Sequence, residues 1–333
     1  MKAVVLSQPG SIRVERIPDP APAAGQIVVA PDSCGICGTD IHIIDGEFVG
    51  TRYPIVPGHE FSGQIVALGR DVSGLRVGDV VAVEPSLFCG YCHFCRIGRG
   101  NLCENFNSIG VGREDGACAE FVAVPADKAF VLPESFPRAW GPLVEPVSCA
   151  IHGFDLLSMC IADHVLIYGA GTMGLILCQI AMHHAAGSVS VVDRNLARLP
   201  VAASLGADHT AANADEFDRP QGWEVVIDAT GSVAAIEEGL RRVRRGGSFL
   251  MFGVAAKDAT ASISPFRVYN EEIRILGSMA ILGSFARARD IVGAGAINGD
   301  ALITHRMAID DYEEAIAAFR RGDGLKIQIS PGG

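Results

Sequence analysis

Four cysteines lie within fifteen residues in the stretch CGYCHFCRIGRGNLC. The spacing is CxxCxxCx7C, and the residues are Cys89, Cys92, Cys95 and Cys103. Four thiolates complete the tetrahedral coordination that zinc adopts in structural sites. An iron–sulfur cluster is the nearest alternative, but the bacterial motif has its fourth cysteine sooner and a proline after it, and both are absent. The spacing therefore predicts a structural zinc site in a glycine-rich loop.

The ten cysteines of the chain are expected in a reducing compartment. The N-terminus, MKAVVLSQPGSIRVERI, lacks the sustained apolar segment and small-residue cleavage site of a signal peptide. In a reducing compartment, closely spaced cysteines are more often metal ligands or catalytic groups than disulfides. We therefore expect a cytoplasmic protein in which the clustered cysteines bind metal.

A second set of potential ligands is spread along the first half of the chain. Cys37 lies in CGICGTDIH, His59 and Glu60 are adjacent in VPGHEFSG, and Glu145 lies in LVEPVSC. One thiolate, one imidazole and two carboxylates suit a catalytic zinc that keeps a position open. Sequence spacing alone does not bring these segments together, and singly His59 is more often a core histidine and Glu145 a surface acid. Cys34 with Cys37 also forms a CxxC, but the redox motif prefers a thioredoxin-like βα start.

A glycine-rich turn follows a strand-like run in VLIYGAGTMGLI. Gly169, Gly171 and Gly174 form GxGxxG between the predicted strand and a predicted helix. Asp193 ends the next strand, SVSVVDR, at the distance where an acidic residue meets the ribose hydroxyls of a dinucleotide. Glycines let the backbone approach a pyrophosphate, and the helix N-terminus offers unpaired N–H groups. The alternative is that the glycines serve only tight strand–helix packing.

The choice between the two nicotinamide cofactors follows from charge. Asp193 would repel a ribose phosphate, so the sequence predicts NAD rather than NADP. Arg194 and Arg198 lie nearby and act in the opposite direction. Thr172 and Met173, inside the glycine motif, complete the predicted cofactor-binding residues.

The chain length of 333 residues exceeds most single hydrophobic cores, so we expect two domains. From Met1 to about Glu145, short alternating runs rich in Val, Gly and Pro predict an irregular all-β domain. From about His164, strands alternate with alanine-rich helical stretches, which predicts a doubly wound parallel sheet. The last part predicts a helix at 284–293, a strand at 302–305, a helix at 312–320 and a strand at 325–329.

The composition excludes some classes of partner. Apolar residues make up 49% and charged residues 20%, as in an ordinary globular protein, and the formal net charge is −11. An acidic chain repels phosphate backbones and anionic lipids, so neither nucleic acid nor membrane is an expected partner. The apolar segment from Val165 to Met182 contains three glycines, Tyr168 and Gln179. It is better explained as a buried strand–turn–helix than as a membrane span.

Several of these motifs together resemble one family. GHE, CGTDIH, the four-cysteine stretch, the GxGxxG turn and the closing THR and AIAAFRRGDGLKIQI occur in the order found in zinc-dependent medium-chain alcohol dehydrogenases. Within that family, EPVSCAIHG resembles sorbitol and other polyol dehydrogenases. The resemblance implies an α/β fold with a GroES-like β domain at 1–147 and 280–333, including a zinc lobe at about 85–105. A Rossmann NAD-binding domain is implied at 148–279.

The resemblance also implies roles for individual residues. Cys37 and His59 would be ligands of a catalytic zinc, with Glu60 and Glu145 either ligating it directly or acting through its bound water. Cys34 would then be a bystander.

Two further roles are implied for the CGTDIH stretch. Thr39 would hydrogen-bond the reacting hydroxyl, and His42 would help relay its proton to solvent. The alternatives are a threonine at a strand edge and an ordinary exposed histidine.

The predicted activity is the NAD-dependent, reversible oxidation of a secondary alcohol on a polyol or sugar-like substrate, with two zinc ions per chain. Sorbitol dehydrogenases place an Arg-Tyr pair soon after the last Rossmann strand, where this chain has Met279, Ala280 and Ile281. That departure argues against sorbitol and leaves arabinitol-like polyols, phosphorylated polyols and threonine as alternatives. A nonenzymatic nucleotide-binding protein with structural zinc is an alternative of another class. We expect a homo-oligomer, either a dimer or a tetramer.

Overall fold

The computed structural model describes residues 1–332, and these residues form two units. The first unit comprises residues 1–148, 281–295 and 302–332, and the second comprises 149–280 and 296–301. Within the described part of the chain, no helix is both long enough and apolar enough to cross a membrane.

Strands dominate the chain before Ser148. The strands are β1 (Lys2–Val5), β2 (Arg13–Arg16), β3 (Gln26–Gly35), β4 (Glu60–Leu68), β5 (Val80–Val83), β6 (Ser86–Leu87), β7 (Asn107–Ser108), β8 (Val122–Pro125) and β9 (Ala129–Val131). The helices are α1 (Gly38–Ile44), α2 (His93–Arg96) and α3 (Val144–Leu156).

Strands and helices alternate in the second unit. The strands are β10 (His164–Tyr168), β11 (Ser188–Val192), β12 (His209–Ala211), β13 (Trp223–Asp228), β14 (Val243–Met251) and β15 (Arg274–Gly277). The helices are α4 (Thr172–His183), α5 (Leu199–Ser204), α6 (Val233–Arg242) and α7 (Pro265–Asn270). The last part of the chain contains α8 (Phe285–Gly293), α9 (Gly299–Leu302), β16 (Ile303–Ala308), α10 (Tyr312–Arg321) and β17 (Lys326–Ser330).

The sheet of the second unit has the order β12-β11-β10-β13-β14-β15, and every neighbouring pair is parallel. Numbered from the first strand of this unit, the order is 3-2-1-4-5-6, which is the Rossmann arrangement. Val165, Leu166 and Ile167 are fully buried, as expected for a parallel strand covered on both faces. The predicted α/β fold is confirmed, and the apolar segment beginning at Val165 forms β10, a turn and α4.

The main sheet of the first unit has the order β16-β17-β3-β4-β5-β9, with β8 also paired to β3. Strand β17 therefore lies beside β3 although the two are separated by most of the chain. Helix α10 is amphipathic and packs Tyr312 and Ile316 into the core that includes Ile27 and Phe61. The helix ends at Arg321 and is followed by Gly322, whose φ of 74° is left-handed.

The all-β prediction for the segment before Glu145 is wrong at α1. The backbone N–H of Cys37 donates to Asp40 Oδ2 at 2.8 Å, so the first turn of Gly38–Ile44 has a capping box. This local cap favours a helix more strongly than the surrounding residue pattern favours a strand. A smaller shift occurs near Leu302, which ends α9 rather than starting the predicted strand.

Candidate active site

Cys37, His59 and Glu60 lie close together in the first unit. Each offers one potential ligand atom, and these atoms all lie within 4.8 Å of one another. Cys37 is the N-cap of α1, while His59 directly precedes β4 and Glu60 begins it. His59 and Glu60 are buried, with 5% and 1% exposure. A thiolate, an imidazole and a carboxylate converging in this way fit a zinc ion with a fourth position left for another group.

The carboxylate of Asp40 lies beside the imidazole of His59. Its Oδ1 lies 3.6 Å from His59 Nδ1, and among the described residues neither of these two buried atoms has a hydrogen-bond partner. Burial lowers the pKa of His59, but Asp40 and Cys37 together outweigh burial, so the pKa is raised well above its usual range. Because Nδ1 faces Asp40, Nε2 is left for a metal, which would take the place of the proton. Asp40 was not predicted from the sequence, although an acid three residues after a cysteine at a helix start is a readable signal.

Lys326 is a second residue that the sequence analysis missed. Its Nζ donates to Glu60 Oε2 at 2.6 Å and to the carbonyl oxygen of Ile36 at 3.1 Å. Burial lowers the pKa of Lys326, but the Glu60 carboxylate, with Cys37 and Glu145, outweighs burial and raises it. A lone lysine in the apolar run LKIQI is the only sequence signal, and it does not identify a partner.

Glu145 lies in the first turn of α3 and is 9% exposed. Its carbonyl oxygen accepts a hydrogen bond from Ser148 Oγ at 2.7 Å. The carboxylate is not part of the group formed by Cys37, His59 and Glu60. It is near enough for its charge to raise the pKa of Lys326. The structure thus brings three of the four predicted ligands into one group and leaves Glu145 in the surroundings of that group.

Thr39 and His42 lie on α1 rather than at a strand edge. The Cys37 thiol donates to Thr39 Oγ1 at 3.7 Å. His42 Nδ1 lies 2.7 Å from Glu47 Oε2, and the His42 side chain is 38% exposed. A surface cavity of about 410 Å³ is lined by Gly38, Ile41, His42, Phe319 and Arg320. The His42 side chain therefore lies on α1, the helix that follows Cys37, at a position that is open to solvent.

The four clustered cysteines form one compact group. The Sγ atoms of Cys89 and Cys95 are 3.9 Å apart, as are those of Cys92 and Cys103. Four sulfurs about 2.3 Å from a central zinc would be about 3.8 Å from one another. Burial raises the pKa of Cys89, but backbone N–H groups, including that of Tyr91, outweigh burial and bring it to about 6. Cys89, Cys92, Cys95 and Cys103 are not paired in disulfides, and the group fits a structural zinc.

The glycine turn of the second unit leaves space at the N-terminus of α4. Gly169 has a φ of 103°, and a Cβ on Gly174 would lie 1.7 Å from the Gly169 carbonyl oxygen. A Cβ on Gly171, the N-cap, would meet only an arginine side chain at 3.7 Å. Thr172 and Met173 begin the helix. Tight packing accounts for Gly174, whereas the open space at Gly171 fits the close approach of a pyrophosphate.

Asp193 directly follows β11 and contacts the glycine turn. Its Oδ2 accepts the Ala170 N–H at 2.6 Å, and its Oδ1 accepts the Asn195 N–H at 2.7 Å. Arg198 Nη1 lies 4.0 Å from Oδ2, and Arg194 is exposed. The carboxylate is therefore fixed by backbone donors, with one arginine close enough to offset part of its charge.

Comparisons with known proteins agree with this geometry. Residues 23–134 match the alcohol dehydrogenase GroES-like domain, and residues 172–292 match the zinc-binding dehydrogenase domain. The chain is 32% identical to D-arabinitol dehydrogenase 1 of Uromyces fabae, over 99% of this chain and 97% of that protein. The chain belongs to the zinc-dependent medium-chain alcohol dehydrogenase family.

Two other members of this family are informative. L-threonine 3-dehydrogenase of Aeromonas hydrophila subsp. hydrophila is 31% identical over 93% of this chain and 94% of that protein. A zinc-binding dehydrogenase from Sinorhizobium meliloti 1021, whose crystal structure contains NADP, superposes with a TM-score of 0.95. It is 32% identical and covers 99% of each chain. The predicted family and the predicted enzyme class are confirmed.

Proposed function

We propose that this medium-chain dehydrogenase uses zinc and NAD to oxidise a secondary alcohol of a polyol or sugar-derived substrate to a ketone, reversibly. The observation that carries the proposal is the convergence of Cys37, His59 and Glu60 within 4.8 Å. The similarity to D-arabinitol dehydrogenase 1 supports a polyol as the substrate class.

In this proposal, residues 1–147 and 280–333 form the catalytic domain. Cys37, His59 and Glu60 hold the catalytic zinc, and Glu145 acts from the surroundings of that site. When bound, zinc supplies Lewis acidity that lowers the pKa of a substrate hydroxyl. Asp40 keeps the ring of His59 in the orientation that its ligand role requires. The four cysteines of the lobe hold the second, structural zinc.

Thr39 and His42 form the proposed route for the substrate proton. Thr39 follows Cys37 by two residues, and its hydroxyl can accept a hydrogen bond from the reacting hydroxyl and, as it takes that proton, pass its own proton on towards solvent. His42 lies one turn further along α1, beside Glu47 and at the wall of the surface cavity. Its exposed imidazole can exchange the proton with solvent.

In the same proposal, residues 148–279 form the NAD-binding domain. The turn at Gly169, Gly171 and Gly174 accommodates the pyrophosphate, with Thr172 and Met173 at the helix start. Asp193 accepts hydrogen bonds from the ribose hydroxyls, and Arg194 and Arg198 flank it. When bound, NAD supplies the hydride acceptor.

We also propose a cytoplasmic homo-oligomer, a dimer or a tetramer. Support comes from one edge of the second unit, where β15 ends the sheet. On α7, just before that edge strand, Phe266 is 73% exposed and Tyr269 is 83% exposed. Large exposed aromatic side chains of this kind are typical of subunit interfaces. Sedimentation of the purified protein would measure the subunit number.

A second candidate function is the oxidation of L-threonine at its hydroxyl-bearing carbon, because a threonine dehydrogenase is among the similar proteins. The test is a substrate panel of arabinitol and other pentitols, hexitols, phosphorylated polyols, cyclitols and L-threonine, followed by NADH absorbance. We expect turnover of a polyol, and turnover of L-threonine alone would select the second function.

Zinc content provides the control for this panel. Two zinc ions per chain are expected from the two ligand groups. If the protein with both sites loaded turns over none of the substrates while still binding NAD, the dehydrogenase proposal fails and a nucleotide-binding protein remains.

A further inference from the structure

Three adjacent strands of the first unit bring an acid and a lysine together across a glycine. Strand β3 lies between β17 and β4, and its Gly35 pairs with Gln328 on β17 and with Glu60 on β4. Lys326 is the first residue of β17 and Glu60 the first of β4. Because Gly35 has no side chain, the other two side chains meet over it.

The absence of a side chain at Gly35 is a steric requirement of this arrangement. A Cβ at that position would lie 2.2 Å from Glu60 Oε2. This oxygen is also the one that accepts the Lys326 ammonium at 2.6 Å. One carboxylate oxygen is therefore directed towards Gly35 and Lys326.

The same ammonium is tied to the segment that carries Cys37. Lys326 Nζ donates to the carbonyl oxygen of Ile36 at 3.1 Å, and Ile36 directly precedes Cys37. The side chains of Lys326 and Glu60 are 4% and 1% exposed, so solvent does not compete for these contacts. One buried cation thus links the strand that begins with Glu60 to the backbone beside Cys37.

We propose that Lys326 is a positioning residue that occupies Oε2 of Glu60 and leaves only the other oxygen for the catalytic metal. The inference rests on the proposed function, because it requires a metal at Cys37, His59 and Glu60. Without the ammonium, both oxygens of Glu60 become available, and the site loses one positive charge. Lys326 therefore limits both the number of ligand atoms and the charge around the metal.

The alternative is that the Glu60–Lys326 pair is only a structural ion pair. Such a pair stabilises the metal-loaded and metal-free proteins alike, and its loss leaves the metal's ligand field unchanged. A positioning residue differs in both respects. The ligand field changes when the residue is removed, and the metal-free protein is affected more than the loaded one, since the metal replaces the missing positive charge.

The test is Lys326→Met in protein with cobalt in place of zinc. The d–d absorption of cobalt is expected to shift in wavelength and intensity because the ligation by Glu60 changes. With zinc, kcat is expected to fall roughly tenfold or more, the usual size of such effects. Lys128→Met is the matched control, since Lys128 forms another poorly exposed ion pair in the first unit, 3.3 Å from Glu84. The control should leave the spectrum and kcat at wild-type values.

Thermal unfolding provides a readout that is independent of activity. Metal-free Lys326→Met should lose on the order of 5–10 °C in Tm, because Glu60 becomes a buried carboxylate without a cation. The loaded variant should lose clearly less. In the Glu60→Gln background, Lys326→Met should produce no further shift of the cobalt spectrum, because the group that it positions is gone.

The outcomes separate this inference from the proposed function. If the wild-type protein binds one metal rather than two, the proposed function fails first. If it binds two, and Lys326→Met has the wild-type cobalt spectrum and equal losses of Tm with and without metal, the pair is structural and the positioning role is overturned. Should that variant not fold, Gly35→Ala displaces Oε2 and keeps the lysine. A shifted spectrum then supports the inference, and an unchanged spectrum overturns it.

Discussion

Asp193 serves as a backbone anchor in the structure and as a cofactor ligand in the proposal, and substitution can separate the two. Asp193→Ala removes the acceptors of the Ala170 and Asn195 N–H groups. A hydrogen bond to a charged group contributes about 1.5–3 kcal/mol. The Asp193 side chain is 12% exposed, so hydrogen bonds from water can replace part of the lost free energy. We expect a loss of about 2–4 kcal/mol in the free energy of unfolding.

Asp193→Asn makes the separation possible. The amide keeps one carbonyl oxygen, so about half of the stability loss is expected, but the negative charge is removed completely. Loss of the charged hydrogen bonds to the ribose should lower kcat/KM for NAD roughly ten- to a hundredfold. In the same variant kcat/KM for NADP should rise relative to that for NAD, since the phosphate on the NADP ribose is no longer repelled. The crystal structure of the similar dehydrogenase from Sinorhizobium meliloti contains NADP, so NADP is a relevant second cofactor for the assay.

The assay is kcat/KM for both cofactors, together with urea unfolding. Asp208→Asn is a matched control, because Asp208 Oδ2 also accepts a backbone N–H, that of Val189, at 2.8 Å in the same unit. The control should lose stability but keep the wild-type ratio of kcat/KM for NAD to kcat/KM for NADP. If both Asp193 variants lose stability but keep the wild-type ratio of NAD to NADP efficiency, Asp193 is an anchor only and its cofactor role is refuted.

Three other substitutions test separate parts of the molecule. Cys95→Ser should remove one zinc per chain by elemental analysis and lower Tm before it lowers kcat, and a variant that keeps both metals contradicts the four-cysteine site. Glu145→Gln should lower kcat roughly ten- to a hundredfold and shift the pH profile while NAD binding survives, whereas a lower Tm with unchanged kcat per folded enzyme means a structural role. Burial raises the pKa of Glu224, but backbone N–H groups, including that of His164, and the Arg244 guanidinium outweigh burial, so its pKa lies below the ordinary 4.5. The stability it contributes is present above 4.5 and is lost as pH falls through the lower folded-state pKa. Glu224→Gln should therefore be less stable than wild type at pH 7 and approach it as the pH falls below 4.5 in urea titrations, and a constant difference would contradict this assignment.

The parallel sheet was predictable because its signals are local. Strands β10, β11 and β13 are rich in valine and isoleucine, and most of their residues are buried, as expected for strands covered on both faces. Each is followed by a turn rich in glycine or acidic residues at its carboxyl end. These short-range patterns define strand, turn and helix without reference to distant residues, so a doubly wound parallel sheet could be predicted.

The lysine beside Glu60 could not be predicted in the same way. Lys326 and Glu60 are separated by 266 residues, and they meet only because β17 pairs with β3 and β3 with β4. A shift of one residue in either pairing would turn one side chain to the other face of the sheet. Register depends on the whole core, so spacing within LKIQI gives no information about it.

The CxxC at Cys34 and Cys37 shows how strand geometry decides between two chemistries that the spacing alone allows. A redox pair needs an accessible thiol with a lowered pKa. Cys34 has the opposite properties, because it is fully buried and its hydrogen bond with Cys118, together with burial, raises its pKa well above the ordinary value. A Cβ on Gly58 would lie 2.6 Å from Cys34 Sγ and 2.8 Å from Cys118 Sγ, so both thiols are packed in the core. Cys37 instead caps α1 near His59, where β3 has already ended. The residues between the two cysteines, Gly35 and Ile36, contact Glu60 and Lys326 rather than forming a redox loop, so the motif supplies one core thiol and one proposed metal ligand.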